Sequence, residues 1–260
     1  ASHAYAIMAR REAGLGRHDS LSPLLEGWDA RGAVCISIAA YEALEWVQAL
    51  VRNALTCGEN STHAVLHLNA RSALRLEDLH GGLALEPGQS DRLAVTQRRL
   101  VVDRSYGSIL YAHLLNMQTM RETWPGHCQY MVLQSSDMLW FRPGMEAAVR
   151  EQRCSPDLAP QNVDVVPAHR ARFGKHPFYQ LLSPNLTHGL HSYSFHEGSF
   201  YPLPLVLTFK AKLDAWAGGP AMPKALQAGF SPEEQWLQTY ALVSGGCPLR
   251  PRVLQSTERQ

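Results

Sequence analysis

The chain has 260 residues, 45% of them apolar and 18% charged, which is enough apolar material for a sizeable core and excludes an intrinsically disordered protein. A formal net charge of +1 and a pI near 7.9 give no sign of the basic face that nucleic-acid binding requires, so no nucleic-acid partner is expected. No apolar run is long enough to span a bilayer, and the first residues show no charged-then-apolar leader pattern. The expectation is a soluble protein, or the luminal part of something longer that meets a membrane only through a segment absent from this chain.

Residues 1–30 are rich in Arg, Gly and Ser and read as an irregular lead-in; residues 31–260 show no shift in composition and read as a single α/β domain. The first strand is Ala33 to Ala39, apolar almost throughout, as a strand covered on both faces is. Glu42 to Leu55 has apolar residues at helical spacing (Leu44, Val47, Leu50, Val51 and Leu55) and stops at Cys57-Gly58. Ala64 to Asn69 is a second strand. Strand, helix and strand in close succession predict parallel pairing. A short helix over 73–80 and a short strand over Leu100 to Val102 follow.

Gly107 to Met120 is the clearest amphipathic helix, with Ile109, Leu110, His113, Leu114 and Met117 on one face. The loop Arg104-Ser105-Tyr106-Gly107-Ser108 enters it, and two readings stand: backbone N–H groups that seat an anion, or a plain serine cap. Gln129 to Leu133 is the central strand. It ends at Gln134-Ser135-Ser136, which puts Asp137 at a strand's carboxyl end, the edge where open α/β sheets bind ligands. A residue that only terminates the strand explains Asp137 equally well. Met145 to Arg153 and Leu203 to Trp216 read as helices, with a long excursion over 154–192 between them. Ser231-Pro232-Glu233-Glu234 is a helix start with serine at the cap, proline first and acids in the first turn, and that helix runs to Val243.

The five cysteines, at 35, 57, 128, 154 and 247, form no C-x-x-C pair, and Cys35 and Cys128 read as small buried apolar residues. Asn60-Ser61-Thr62 and Asn185-Leu186-Thr187 are sequons in loop-like stretches. Twelve histidines show no zinc spacing; His63 and His67 stand about 13 Å apart along a strand. No metal is expected. Neither a Gly-x-Ser-x-Gly elbow nor a P-loop is present.

Taken in order, several segments resemble one family, the core-2/I-branching type glycosyltransferases, over most of residues 33 to 244. The resemblance is carried by Ala33 to Asn53, His67-Leu68-Asn69, Tyr106 to Gln118, Leu133 to Met138, Glu197-Gly198-Ser199-Phe200-Tyr201 and Ser231 to Trp236. It implies a GT-A-like fold, a mixed and mainly parallel sheet with helices on both faces. It also implies an inverting transfer of an N-acetylglucosamine- or xylose-like sugar from a UDP-sugar to a hydroxyl of a glycan or glycoprotein in the Golgi lumen.

Mapped residue by residue, Glu234 is the base, with the bare macrodipole role of Glu233 and Glu234 as the other reading. Ala39, Asn69, Arg104, Ser108 and Asp137 lie on the donor side; Glu197, Gly198, Ser199 and Tyr201 lie on the acceptor side. Asn69 stands where the family has an acid, and the family's basic, disulfide-bearing part after Gly246 is not recognisable. The family uses Lys or Arg in place of a metal for the diphosphate, for which the candidates are Arg104, Arg170, Arg172, Lys175, Arg250 and Arg252. The alternative to an enzyme is a catalytically inactive sugar- or nucleotide-binding module on the same fold.

Overall fold

The computed structural model describes residues 28–83, 85–102, 107–140, 142–154, 198–217 and 236–243. They form a five-stranded, mostly parallel sheet with helices packed against it, an α/β fold. The strands are β1 (Ala33–Ala40), β2 (His63–Leu68), β3 (Leu93–Val95), β4 (Cys128–Gln134) and β5 (Phe200–Pro202), in the spatial order β3-β2-β1-β4-β5. Only β5 runs antiparallel to its neighbour. The helices are α1 (Leu44–Cys57), α2 (Leu76–Gly82), α3 (Ser108–Thr123), α4 (Met145–Gln152), α5 (Leu203–Ala217) and α6 (Trp236–Val243).

The sheet divides the core because successive side chains of a strand face opposite ways. Val34, Ile36 and Ile38 of β1 pack with Val47, Leu50 and Val51 of α1, whereas Cys35 faces Leu110, Leu114 and Phe209 of α3 and α5. Both faces are covered, which is why β1, β2 and β4 read as nearly continuous apolar runs. Buried on most sides between sheet and helices, α3 is less one-sided than its sequence suggests; Ile109 is only half-buried.

A polar seam fixes α3 against the strands. Asn116 donates to Ser37 Oγ (2.9 Å) and to the carbonyls of Ile38 (3.0 Å) and Val65 (3.1 Å), and accepts from Thr96 Oγ1 (2.7 Å). Ser37 Oγ lies 2.7 Å from His113 Nδ1. With Ser37 as donor to the imidazole, this chain of hydrogen bonds runs in one direction from Thr96 to His113.

Two sequence expectations are overturned. Cys35 and Cys128 are not independent apolar residues: β1 and β4 pair so that their Cα atoms are 5.6 Å apart, and they form a disulfide. Cys154 is disulfide-bonded as well, and Cys57 is the free cysteine among the described residues. The third strand is not Leu100 to Val102 but Leu93–Val95. Leu100 to Val102 does run beside the end of β2, but it is held there largely by side chains of His67 and Asn69 instead of a backbone ladder. The helix expected over 73–80 begins at Leu76, and the expected Ser231 start of α6 lies outside the described residues.

Linking residues 93 positions apart, the Cys35–Cys128 bond removes chain entropy from the unfolded state. The Cys35→Ala/Cys128→Ala double variant is expected to lose about 2 to 5 kcal/mol. Urea unfolding midpoints against the parent chain measure it; equal midpoints would show that the cross-link adds nothing.

Candidate functional site

The parallel strands β1 to β4 end at one edge of the sheet, and β2 and β4 leave β1 on opposite sides. The strand order therefore reverses between β1 and β4, and their carboxyl-terminal turns flank the crevice that such a reversal opens. From β1 come Ala39, half-buried, and Tyr41, which is 55% exposed. From β4 comes Gln134-Ser135-Ser136-Asp137, with Asp137 exposed and its carboxylate accepting a hydrogen bond from Ser135. Trp46, in the first turn of α1, spans the two sides: its indole N–H donates to the Ser136 carbonyl at 2.6 Å. Ser108, the first residue of α3, is buried behind Gly107, whose φ of 63° is the left-handed conformation that glycine adopts at little cost.

The predicted acceptor segment meets this edge directly. Gly198 N–H donates to the Leu133 carbonyl at 2.7 Å, and Leu133 N–H donates to the Ser199 carbonyl at 2.8 Å. These bonds extend the β4·β5 ladder and bring the Gly-Ser segment beside the turn that carries Asp137. Gly198 has φ 71°, so a side chain there is strained although the space beside it is open to Met138 Sδ at 3.8 Å. Ser199 and Tyr201 are fully buried; Tyr201 packs in the core with Leu133 and Trp236. Glu197, Arg104 and Glu234 lie outside the described residues, as do the other five cations named for the diphosphate.

Asn69 follows β2 at the same edge, and its side chain is spent on the fold. Its Oδ1 accepts from Arg71 N–H (2.9 Å) and Val102 N–H (3.2 Å), and its Nδ2 donates to the Val102 carbonyl (2.9 Å). An aspartate could not make the last bond, which is a physical reason for the amide where the resembling family has an acid. Arg99 closes the same corner by donating to the carbonyls of Asn69 (2.6 Å) and Ser72 (3.0 Å).

His67 is buried two positions earlier, in β2, and its Nε2 accepts from Leu100 N–H at 3.1 Å. Burial, with Arg99 nearby, lowers its pKa to about 4, so the ring is neutral and fit to accept. Further along the edge, Tyr111 donates to Asp214 at 3.1 Å, and Lys210 pairs with the same carboxylate. Burial foremost, and then Asp214, holds the Tyr111 phenol well above its ordinary pKa.

Sequence reasoning missed the exposed apolar groups of this edge. Tyr41, Trp46 and Val101 are the exposed large apolar side chains among the described residues, and all three border the carboxyl ends of β1 and β2. An aromatic directly after an apolar strand, Tyr41, and another in the first turn of the next helix, Trp46, are the available signal. A separate cavity of about 780 Å³ lies along edge strand β3, lined by Leu83, Val95, Thr119 and Glu122 among others, and contains none of the predicted site residues. Among the described residues, no three His, Cys, Asp or Glu side chains converge to hold a metal, and no helix is long and apolar enough to cross a membrane.

No family model matches the chain, and no curated protein matches it.

His67 makes stability depend on pH with a definite sign. Its folded-state pKa lies below the unfolded value near 6.5, so acid favours the unfolded chain. The stability is complete above about pH 6.5, falls as pH drops through that value towards about 4, and the full loss is roughly 3 kcal/mol. His67→Gln keeps an acceptor for Leu100 without the titration. Between pH 7.5 and 5.0 the parent is expected to lose roughly 2 kcal/mol more than this variant in urea unfolding. Parallel pH profiles would contradict the assignment. Asn69→Asp is expected to cost about 1 to 3 kcal/mol, read the same way, because the Val102 carbonyl loses its donor and meets a carboxylate.

Proposed function

We propose that this chain is an inverting, metal-independent glycosyltransferase on a GT-A-like fold. It moves an N-acetylglucosamine- or xylose-like sugar from a UDP-sugar to a hydroxyl of a glycan or glycoprotein. The observation that carries this reading is the double hydrogen bond between Leu133 and Gly198-Ser199. It joins two segments more than sixty positions apart that the sequence resemblance assigns to the donor and acceptor sides.

In this reading the donor lies over the crevice between β1 and β4, where the exposed faces of Tyr41 and Trp46 offer stacking surfaces to a uracil or sugar ring. The acceptor enters alongside Gly198. Glu234 takes the proton of the acceptor hydroxyl as its oxygen bonds to the anomeric carbon, and the bond to the diphosphate breaks on the opposite face. UDP leaves with the electron pair. The cations drawn from Arg104, Arg170, Arg172, Lys175, Arg250 and Arg252 meet the charge that develops on UDP. A disulfide between central strands fits a protein made in an oxidising compartment, consistent with the secretory pathway and the Golgi lumen.

The second reading, a sugar- or nucleotide-binding module without catalysis, is favoured by one observation. The Asn69 amide is engaged by Val102 and Arg71, leaving no negative charge where the resembling family has one.

Thermal unfolding with UDP-N-acetylglucosamine and UDP-xylose, each with and without EDTA, tests the binding. A rise in Tm that survives EDTA is expected, because a ligand bound only by the native state stabilises it. No rise with either compound removes both readings. Glu234→Gln is expected to keep the Tm rise and abolish sugar transfer; a parent chain that binds without transfer decides for the module. Tyr41→Ala is expected to weaken UDP binding by about tenfold in calorimetry, the order of one lost base-stacking contact, with the urea midpoint little changed.

A further inference from the structure

We propose that His63, His127 and the Ser61 carbonyl form a site for a divalent late first-row transition metal, with zinc as the ion that the ligand set fits. The site lies at the opposite edge of the sheet from the crevice and is independent of the sugar-transfer reading. His63 is the first residue of β2 and His127 immediately precedes β4, so parallel strands bring both to the amino-terminal edge.

Three atoms that can donate lone pairs meet there. His63 Nδ1 and His127 Nε2 are 2.9 Å apart, and each is 2.9 Å from the Ser61 oxygen. Protons on both nitrogens would set two N–H groups against each other; protons on neither leave three lone pairs facing one another. One shared proton relieves this only in part. A cation bound to all three removes it, and imidazole nitrogens suit zinc, copper and nickel.

The dimensions agree. An ion about 2.1 Å from each atom sits roughly 1.3 Å above their plane, and a spread of roughly half an ångström between the ligands gives tetrahedral angles. A water would complete the coordination as the fourth ligand. Both imidazoles are half-buried, and Trp124 walls the site with its ring centroid 4.5 Å from that of His63. Arg92, which donates to the carbonyls of Glu59 and Thr62, opposes a cation, and Glu59 is paired with Arg150. Affinity therefore comes from coordination and not from the local field.

Neither histidine carries zinc spacing in the sequence, because they are 64 positions apart and meet only through the sheet.

The test is calorimetric titration of the EDTA-stripped, full-length chain with zinc chloride, without nucleotide sugar. The expected result is one zinc per chain, with affinity reduced by about tenfold or more in both His63→Gln and His127→Gln, since each removes half of the imidazole ligation. In the unaltered chain, zinc is expected to slow diethyl pyrocarbonate modification of His63 and His127, read by peptide mass spectrometry. That arm decides the matter if the variants fail to fold. Zinc affinity equal to the parent's in both variants, or modification of both histidines unaffected by zinc, overturns the proposal; so does a chain that takes up no zinc.

Discussion

The constraint on which the rest depends is the parallel pairing of β1 with β4. Because β2 occupies the other side of β1, this pairing creates the reversal of strand order, the point at which open α/β sheets bind ligands. The same pairing brings Cys35 to Cys128 and lets the Trp46 indole reach the Ser136 carbonyl. Cross-link and hydrogen bond act towards opposite ends of the two strands, so the register is held at both. A slip by one residue would exchange the two faces of β4 and bury the wrong side chains, which makes the alternative registers costly.

Around that pairing, polar side chains are used to fix positions and not to present chemistry. Asn116 reaches β1, the middle of β2 and Thr96 from a single helix position, so α3 cannot slide along the sheet without stranding a buried amide, which costs on the order of 1 to 3 kcal/mol. His67, Asn69 and Arg99 do the same for the segment over 99–102, gripping backbone carbonyls and N–H groups that no ladder satisfies. Among the described residues, Tyr41, Trp46 and Val101 face outward at this edge, together with Asp137 and Arg71. Exposed aromatic rings of that kind supply stacking area.

The edge of the sheet at which a residue lies decides which role is open to it. Asp137 and Asn69 belong to the carboxyl edge because they follow β4 and β2, and Ser108 and Gly198 reach it from a helix start and from the turn before β5. The pair His63 and His127 belongs to the amino edge, where no such turn announced it.

The sequence by itself determined the three longer strands and most of the helices, in their order. Apolar runs marked β1, β2 and β4 because both faces of these strands are covered, and glycine and proline signals placed an end of α1, α4 and α5 within a few residues. It also determined that a polar turn with an exposed carboxylate ends the central strand. Only the tertiary structure decided that Leu93–Val95 is the edge strand, since a three-residue strand has too few positions to show a period. It alone decided that Cys35 meets Cys128, that His63 meets His127, and that Gly198-Ser199 lies against Leu133. Each of these contacts joins residues 64 or more positions apart. They are fixed by the register between strands, which arises from packing the whole core and leaves no local pattern in the chain.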